Sequence, residues 1–301
     1  MDQVDWTGRG HIIASEKDLY FVSCLKNGQE LCLPCKGKGV FRARAQRPVV
    51  GDFVDVSLRA DSSVGTILCL HERKNLLNRP PVANVDQVLL VQTLVEPALS
   101  ALALDKMLAS IEQKHLPLLL CFNKLDRSPE GALTEWMALY RRIGYPCFQT
   151  DALQGTGVEE LCHRLTGKIT AVAGPSGAGK SSLIRKMTGA AIEVGRLASK
   201  TGRGRQTTRQ IRLYDLGQAS YIFDTPGFSS LELESEESLQ MVGAWFPEIR
   251  TRADQCRFRN CLHRNEPACR IKEALEAGEI APTRYASYLR LLEEMEQRRS
   301  Y

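Results

Sequence analysis

Between about Gly8 and His71, apolar and polar residues alternate over short stretches at the period of a half-buried strand. The stretches are Gly10–Ala14, Leu19–Val22, Leu31–Leu33, Asp52–Val56 and Gly65–Leu68. Asn27-Gly28 stands between two of them, and both residue types tolerate the positive φ that a two-residue hairpin turn demands. About five short strands in so few residues predict a small β-barrel, with an OB-fold over residues 1–72 as the natural form. A small open sandwich fits the same pattern.

From Asn84 the texture changes. Apolar runs at Val88–Val91, Leu116–Phe122, Tyr145–Gln149 and Lys168–Ala173 alternate with helical patterns at Leu102–Lys114, Gly131–Ile143 and Val158–Leu165. That alternation predicts a parallel sheet with helices on both faces. Tyr221–Phe223 reads as one more short strand, and beyond Glu236 the chain reads as helical. Three regions follow: the barrel, an α/β domain over 80–235 and a helical region over 236–301.

Composition narrows the classes. With 43% hydrophobic residues in 301, the chain can bury sizeable cores. No run approaches the ~20 apolar residues of a membrane span, and the acidic start Met1-Asp2-Gln3-Val4-Asp5 does not resemble a secretory leader. A cytoplasmic protein with no membrane partner is expected. In that reducing setting the ten cysteines are a poor basis for disulfides. Cys24, Cys32, Cys35, Cys69, Cys121, Cys147 and Cys162 read as small core side chains. Cys32 and Cys35 have redox-motif spacing, but they lie in a strand-like segment without a second pair. The net charge of +5 is unevenly spread: Lys36–Arg47 holds five basic residues and Arg196–Arg212 six, with no acidic residue in either. Such glycine-rich basic blocks are solvated loops or contacts for a phosphate backbone.

The strongest chemical signal is Gly174-Pro175-Ser176-Gly177-Ala178-Gly179-Lys180-Ser181, between the strand Ile169–Ala173 and a helix opening at Ser182. Glycines there let successive N–H groups wrap a β-phosphate, and the helix N-terminus adds positive potential. Lys180 would bridge the β- and γ-phosphates, and Ser181 would ligate Mg²⁺, with Ser182 completing the set. Asp224-Thr225-Pro226-Gly227 follows a strand, so Asp224 can hold the Mg²⁺ through water and the Gly227 amide can reach the γ-phosphate. Thr207 or Thr208, in the second basic block, is the expected further Mg²⁺ ligand; the pattern does not choose between them. Asn123-Lys124-Leu125-Asp126 closes a strand. Asp126 can accept two hydrogen bonds from guanine that adenine cannot supply, Asn123 can brace the loop, and the stem of Lys124 can cover the base. These residues point to GTP and Mg²⁺.

The order of these motifs is rotated. Ordinary GTPases run phosphate loop, threonine, Asp-x-x-Gly, then Asn-Lys-x-Asp. Here Asn-Lys-x-Asp comes first, at 123, followed by positions 174, 207 and 224. The segment after Gly227 therefore leads straight into the C-terminal region. There Cys256, Cys261, His263 and Cys269 supply three thiolates and an imidazole within fourteen residues, a complete tetrahedral set for one structural Zn²⁺. Arg257, Arg259, Asn260 and Arg264 make the segment read as a polar loop that the metal would staple, with arginines free to face a phosphate backbone.

Together these residues resemble the circularly permuted bacterial GTPases of the ribosome small-subunit-dependent GTPase A family, over nearly the whole chain. The resemblance implies an α/β P-loop GTPase core with permuted motif order, an OB-fold barrel before it and a zinc-binding helical region after it. It implies GTP hydrolysis stimulated by the small ribosomal subunit late in its maturation, with barrel and zinc region on ribosomal RNA. GTP, GDP and the subunit are then the partners, and the chain is expected to be monomeric. Thr150-Asp151-Ala152 resembles the segment whose backbone, at Ala152, meets the guanine oxygen, with Asp151 a variation. Gly202–Arg209 looks like the family's first switch, where Gln206 stands in place of the usual histidine. Glutamine can orient a water but cannot titrate, so Gln206 joins Thr207 and Lys180 as a candidate catalytic residue. Phe228 follows Gly227 where many GTPases carry a water-orienting glutamine, so unaided turnover is expected to be slow. His11, His71, His115 and His163 read as structural or surface residues. Two other functions fit less: a nucleotide-regulated RNA-binding module with incidental hydrolysis, and a metabolic kinase, which Asn123–Asp126 disfavours.

Overall fold

The N-terminal alternation folds into five strands that close on themselves. They are β1 (Trp6–Glu16), β2 (Leu19–Lys26), β3 (Gln29–Gly37), β4 (Phe53–Leu58) and β5 (Gly65–Leu70). Antiparallel pairings β1–β2, β2–β3, β4–β5 and β1–β4 combine with a parallel β3–β5 pairing. The β1–β4 ladder shuts the ring, so the arrangement is a barrel of OB type and not an open sandwich. Register shifts at Ile12/Ala14 and Asp55/Val56 help the long strands curve. Ile12, Val22, Leu33, Cys35, Val54, Val56 and Ile67 fill the interior. The computed structural model describes residues 6–39, 41, 46–78, 80–129, 131–189, 211–224 and 238–299.

Two compact units divide the described residues. The first holds the barrel and everything up to Gln87, then Val158–Ala173 and the described residues from Lys180 to Asp224. Besides the barrel it contains the hairpin β6 (Leu76–Asn78) and β7 (Pro81–Ala83), and strands β11 (Ile169–Ala173), β12 (Arg212–Gly217) and β13 (Ser220–Asp224). β13 runs parallel to β11, but β12 is antiparallel to β13, so the expected all-parallel sheet is mixed. β12 also pairs with β1 at Ala14↔Arg212, which ties the barrel to the sheet by main-chain bonding. β12 carries no strand signal in its residues. It starts inside the basic block, and its turn is Gln218-Ala219, both at positive φ (51° and 54°), where a glycine or asparagine would have signalled a hairpin.

His11, on β1, packs against Tyr221 of β13. It is 5% exposed, its Nε2 lies 3.0 Å from the Gly51 carbonyl oxygen, and its ring stacks on Phe53 and meets Tyr221 edge-on. Burial pushes its pKa down to about 4. An unfolded chain takes that proton near pH 6.5, so between these values the unfolded state binds more protons. Stability should therefore fall as pH drops through this window, by about 3 kcal/mol at its acid end. Denaturant unfolding of His11→Gln across pH 4–7 checks this: the variant should lose that part of the acid sensitivity, and an unchanged slope would assign it to other groups.

The second unit takes Val88–Gly157, Gly174–Gly179 and the described residues from 238 onward. Strands β8 (Gln87–Gln92), β9 (Leu118–Phe122) and β10 (Cys147–Gln149) pair in parallel here. Every residue of β8 and β9 is buried, as a parallel strand covered on both faces requires. Helices α1 (Ala101–Gln113) and α2 (Ala132–Ile143) accompany them. Ser100 caps α1, and Gly144 closes α2 at φ 112°. Helices α3 (Val158–Leu165) and α4 (Lys180–Thr188) belong to the first unit.

The C-terminal part is helical, as α5 (Met241–Ala244), α6 (Pro247–Arg250), α7 (Arg270–Glu276) and α8 (Pro282–Arg299). It packs Trp245, Phe246, Ile249, Ile271, Tyr288, Leu291 and Leu292 into one core with Ala109 of α1. Among the scattered cysteines, Cys24, Cys35, Cys121 and Cys147 are buried, whereas Cys32 and Cys69 are exposed and Cys162 is half-buried, contrary to the core reading for those three. Among the described residues, no helix is long and apolar enough to cross a membrane.

Candidate functional site

Asn123 organises the Asn-Lys-x-Asp end of the second unit. It follows β9 directly and is 2% exposed. Its Nδ2 donates to the Ala178 carbonyl (3.0 Å), while its Oδ1 accepts from Thr150 Oγ1 and from the Ala152 amide, at 3.1 Å each. One side chain thus joins the phosphate-loop segment, the strand end of β10 and the loop after it. The glycines make this approach possible. Gly174, at φ 134°, lies so close to the Val91 carbonyl that any Cβ would collide with it, and a Cβ on Gly179 would strike Asn123 Nδ2.

The Thr150–Gln154 turn is held from within. Asp151 Oδ1 accepts from the amides of Leu153 and Gln154, both at 2.9 Å, so the variant residue braces its own loop and leaves the Ala152 amide on Asn123. Lys124 adopts a left-handed conformation (φ 63°), and a 3-10 turn over Leu125–Arg127 follows. The Leu125 amide donates to Thr150 O (3.2 Å), and the Lys124 ammonium donates to the Glu96 carbonyl oxygen (2.7 Å). The Asp126 side chain is 40% exposed, open to a base arriving from solvent. Pro175 is half-buried, and Ser176 and Gly177 are exposed along the loop.

In the first unit, Lys180 opens α4 and Asp224 ends β13. Ser181 is exposed and Ser182 half-buried behind it. Burial lowers the pKa of Lys180, and the charge of Asp224 raises it back. Burial likewise raises Asp224, opposed by Lys180 and by Arg212, its cross-strand partner. Burial thus shifts each group towards its neutral form, and an anion at Lys180 or a cation at Asp224 would oppose that shift. Gln206, Thr207, Thr208 and Gly227 lie outside the described residues.

Cys256, Cys261, His263 and Cys269 converge, with their ligand atoms all within 4.8 Å of one another. His263 Nδ1 is 3.5 Å from the sulfurs of both Cys256 and Cys269. The surrounding loop is fixed by Tyr285 and Tyr288, whose hydroxyls donate to the carbonyls of His263 and Leu262, and by Glu266, which accepts from the Leu262 and Arg264 amides. Burial pushes the Cys261 thiol up to about 12 and holds His263 down, so thiolates here call for a cation among them. Three sulfurs and one imidazole nitrogen fit a tetrahedral metal. Two expectations need correction. Cys261 and Cys269 are part of the C-terminal hydrophobic core rather than a purely polar loop. Arg264 is not free for a partner, since both its terminal nitrogens bond Glu296 (3.0 and 2.9 Å), although Arg257 and Arg259 are exposed.

A family model described as RsgA GTPase matches residues 70–234, and one described as RsgA N-terminal domain matches 9–67. The chain belongs to the RsgA GTPase family. A relative from Shouchella clausii (strain KSM-K16), named small ribosomal subunit biogenesis GTPase RsgA, is 40% identical over 297 residues, covering 97% of this chain and 99% of its own. A relative of the same name from Geobacillus sp. (strain WCH70) is 38% identical over 294 residues, 96% of this chain and 98% of its own. Among solved structures, YloQ, a circularly permuted GTPase, superposes with a TM-score of 0.80 at 30% identity, covering 99% of this chain and 98% of its own. YjeQ from Thermotoga maritima gives 0.78 at 35%, covering 96% and 99%. As an RsgA-family member the chain is a GTP hydrolase with a permuted core, and the family's chemistry uses Mg²⁺ with GTP. Sequence reasoning missed Glu96, which touches the Lys124–Arg127 turn from 28 and 31 positions away; no local motif marks it.

Proposed function

We propose that this chain is a GTP-driven switch in late maturation of the small ribosomal subunit, that it binds ribosomal RNA, and that the subunit stimulates its hydrolysis. The observation that carries this reading is the likeness, over 97% of the chain, to relatives named for small-subunit biogenesis. In this reading the protein is cytoplasmic and monomeric. The barrel adds support: a cavity of about 660 Å³ on it is lined, among the described residues, by Lys36, Lys38 and Arg47 against the single acidic Asp18, with Tyr20 and Phe41 buried beneath, an excess of cations suited to a phosphate backbone.

In this reading the barrel spans 1–72, the GTPase domain 80–235 and the zinc-binding domain 236–301. The amides of Gly174–Gly179 and the Lys180 ammonium hold the phosphates, with Pro175, Ser176 and Ala178 shaping the loop. Mg²⁺, when bound, neutralises charge between the β- and γ-phosphates; Ser181, Asp224 and one of Thr207 and Thr208 are the residues to hold it, with Ser182 beside them. Asp126 reads guanine, Asn123 and Leu125 hold that turn, Lys124 covers the base, and the backbone at Ala152 borders the guanine oxygen, its amide shared with Asn123 Oδ1. The Gly227 amide senses the γ-phosphate, and Gln206 orients the attacking water. Cys256, Cys261, His263 and Cys269 hold one Zn²⁺ that fixes the C-terminal loop.

GTP turnover by purified protein, alone and with small ribosomal subunits, tests the reading. Stimulation of at least about tenfold is expected, below the roughly 10³–10⁵ that a group supplied in trans gives other GTPases. Equal rates with and without subunits would sink it.

A further inference from the structure

The guanine-reading carboxylate has a cationic neighbour of its own. Arg127 follows Asp126 in the 3-10 turn, and its Nε lies 3.7 Å from Asp126 Oδ2, near enough for attraction but too long for a hydrogen bond. The same guanidinium is drawn the other way by Glu96, in the loop after β8: Arg127 Nη1 donates to Glu96 Oε2 at 2.8 Å. The backbone of Glu96 also accepts from the Lys124 ammonium at 2.7 Å. Glu96 and Pro97 lie against Gly177 of the phosphate-loop segment as well, at the distance where a side chain there would touch them. One residue thus meets both flanks of the Asn-Lys-x-Asp turn and the neighbouring loop, and all of these contacts fall within the second unit.

The chemistry of Asp126 makes this arrangement consequential. A carboxylate paired side-on with a guanidinium has both oxygens occupied, and those oxygens are what the guanine N1–H and exocyclic amine would use. A free Arg127, adjacent in sequence and already 3.7 Å away, is an intramolecular competitor for the base. We propose that Glu96 is a specificity-determining residue: by holding Arg127, it keeps the Asp126 carboxylate open for guanine. Glu96 touches no substrate in this scheme and acts through Arg127 as a positioning residue. The inference rests on the reading of Asp126 as the guanine acceptor.

The test is a double-mutant cycle on the full chain, with Mg²⁺ and fluorescently labelled GDP as the probe and an adenine diphosphate as competitor. Glu96→Ala should weaken GDP binding on the order of fivefold, the scale of one exposed ion pair, and raise KM for GTP with kcat at saturation unchanged. In an Arg127→Ala background the same Glu96→Ala substitution should do nothing further, because the competitor is gone. Thermal unfolding of each variant separates this from a folding defect, which would persist in both backgrounds. Wild-type affinity for GDP in Glu96→Ala overturns the proposal, and so does an equal loss in the two backgrounds. A wild-type protein that does not prefer GDP to the adenine nucleotide overturns the underlying reading of Asp126 and the proposal with it; a preference that Glu96→Ala leaves undiminished overturns the proposal alone.

Discussion

Replacing Arg284 by alanine should destabilise the C-terminal half by about 3–5 kcal/mol, the usual cost of stripping one partner from a buried ion pair. Arg284 lies on α8 and is 1% exposed. Its Nη1 donates to Asp105 of α1 at 2.5 Å, and its Nε and Nη2 reach the two oxygens of Glu248 of α6 at 2.6 and 3.2 Å. Phe246 lies 4.6 Å from the guanidinium carbon and Tyr140 5.7 Å, and the Tyr140 hydroxyl donates to the same Asp105 oxygen. Alanine would leave two carboxylates in the interior without a counter-charge. Even beside Arg284, burial holds the Asp105 pKa above the usual carboxylate range; without the guanidinium it should rise further, and the folded variant would bind a proton that the unfolded chain releases. Such a group adds stability at low pH that is lost as pH rises through its folded pKa, so the deficit should be larger at pH 8 than at pH 5. Denaturant unfolding followed by the fluorescence of Trp245, buried in the same core, measures both effects. A loss below about 1 kcal/mol, within the range of surface pairs, would mean the network contributes little. Arg284→Lys keeps the charge but not the planar fork and should fall between.

Asp126→Asn should all but abolish the preference for guanine over adenine nucleotides, a change on the order of 10⁴ if the carboxylate is the main source of discrimination. The reason lies in donors and acceptors. Guanine offers N1–H and an amine, both donors, to an acceptor-only carboxylate, whereas asparagine replaces one acceptor with a donor that faces the amine. A base carrying a carbonyl at that position, as xanthine does, matches asparagine and should gain affinity in the variant. Competition binding with guanine, adenine and xanthine nucleotides reads this directly. Undiminished guanine preference in the variant would move base recognition elsewhere, to the backbone at Ala152 or to Lys124.

The sequence made the fold class legible where physical constraint is local. Val88–Val91 is apolar without interruption, and Ile169–Ala173 is broken only by Thr170, because parallel strands are covered on both faces, and Asn27-Gly28 announced its hairpin through positive φ. β12 escaped because Arg212, Tyr214 and Asp215 give it a mixed surface and its turn uses Gln218-Ala219. Candidate site residues could be named from motif spacing, but their supports could not. Asp105 and Arg284 stand 179 positions apart, and Glu96 and Arg127 stand 31 apart; each pair consists of ordinary charges on ordinary helices or loops until the chain folds. The C-terminal core was under-read for a related reason. Charged residues crowd the Cys256–Cys269 segment, while the apolar partners that bury its cysteines come from helices on either side.

The single pairing of Ala14 with Arg212 bears on how separable the parts of this chain are. β12 has β13 on one side and the barrel strand β1 on the other. The barrel is thus less an appendage on a tether than the piece that covers a sheet margin. A GTPase fragment begun after residue 72 would present the backbone of β12 unpaired where β1 had lain, the kind of bare strand that recruits other chains. Loss, gain or exchange of the N-terminal region in such a protein therefore has to supply a replacement neighbour for β12, which makes the barrel harder to trade between proteins than its position at one end of the sequence suggests.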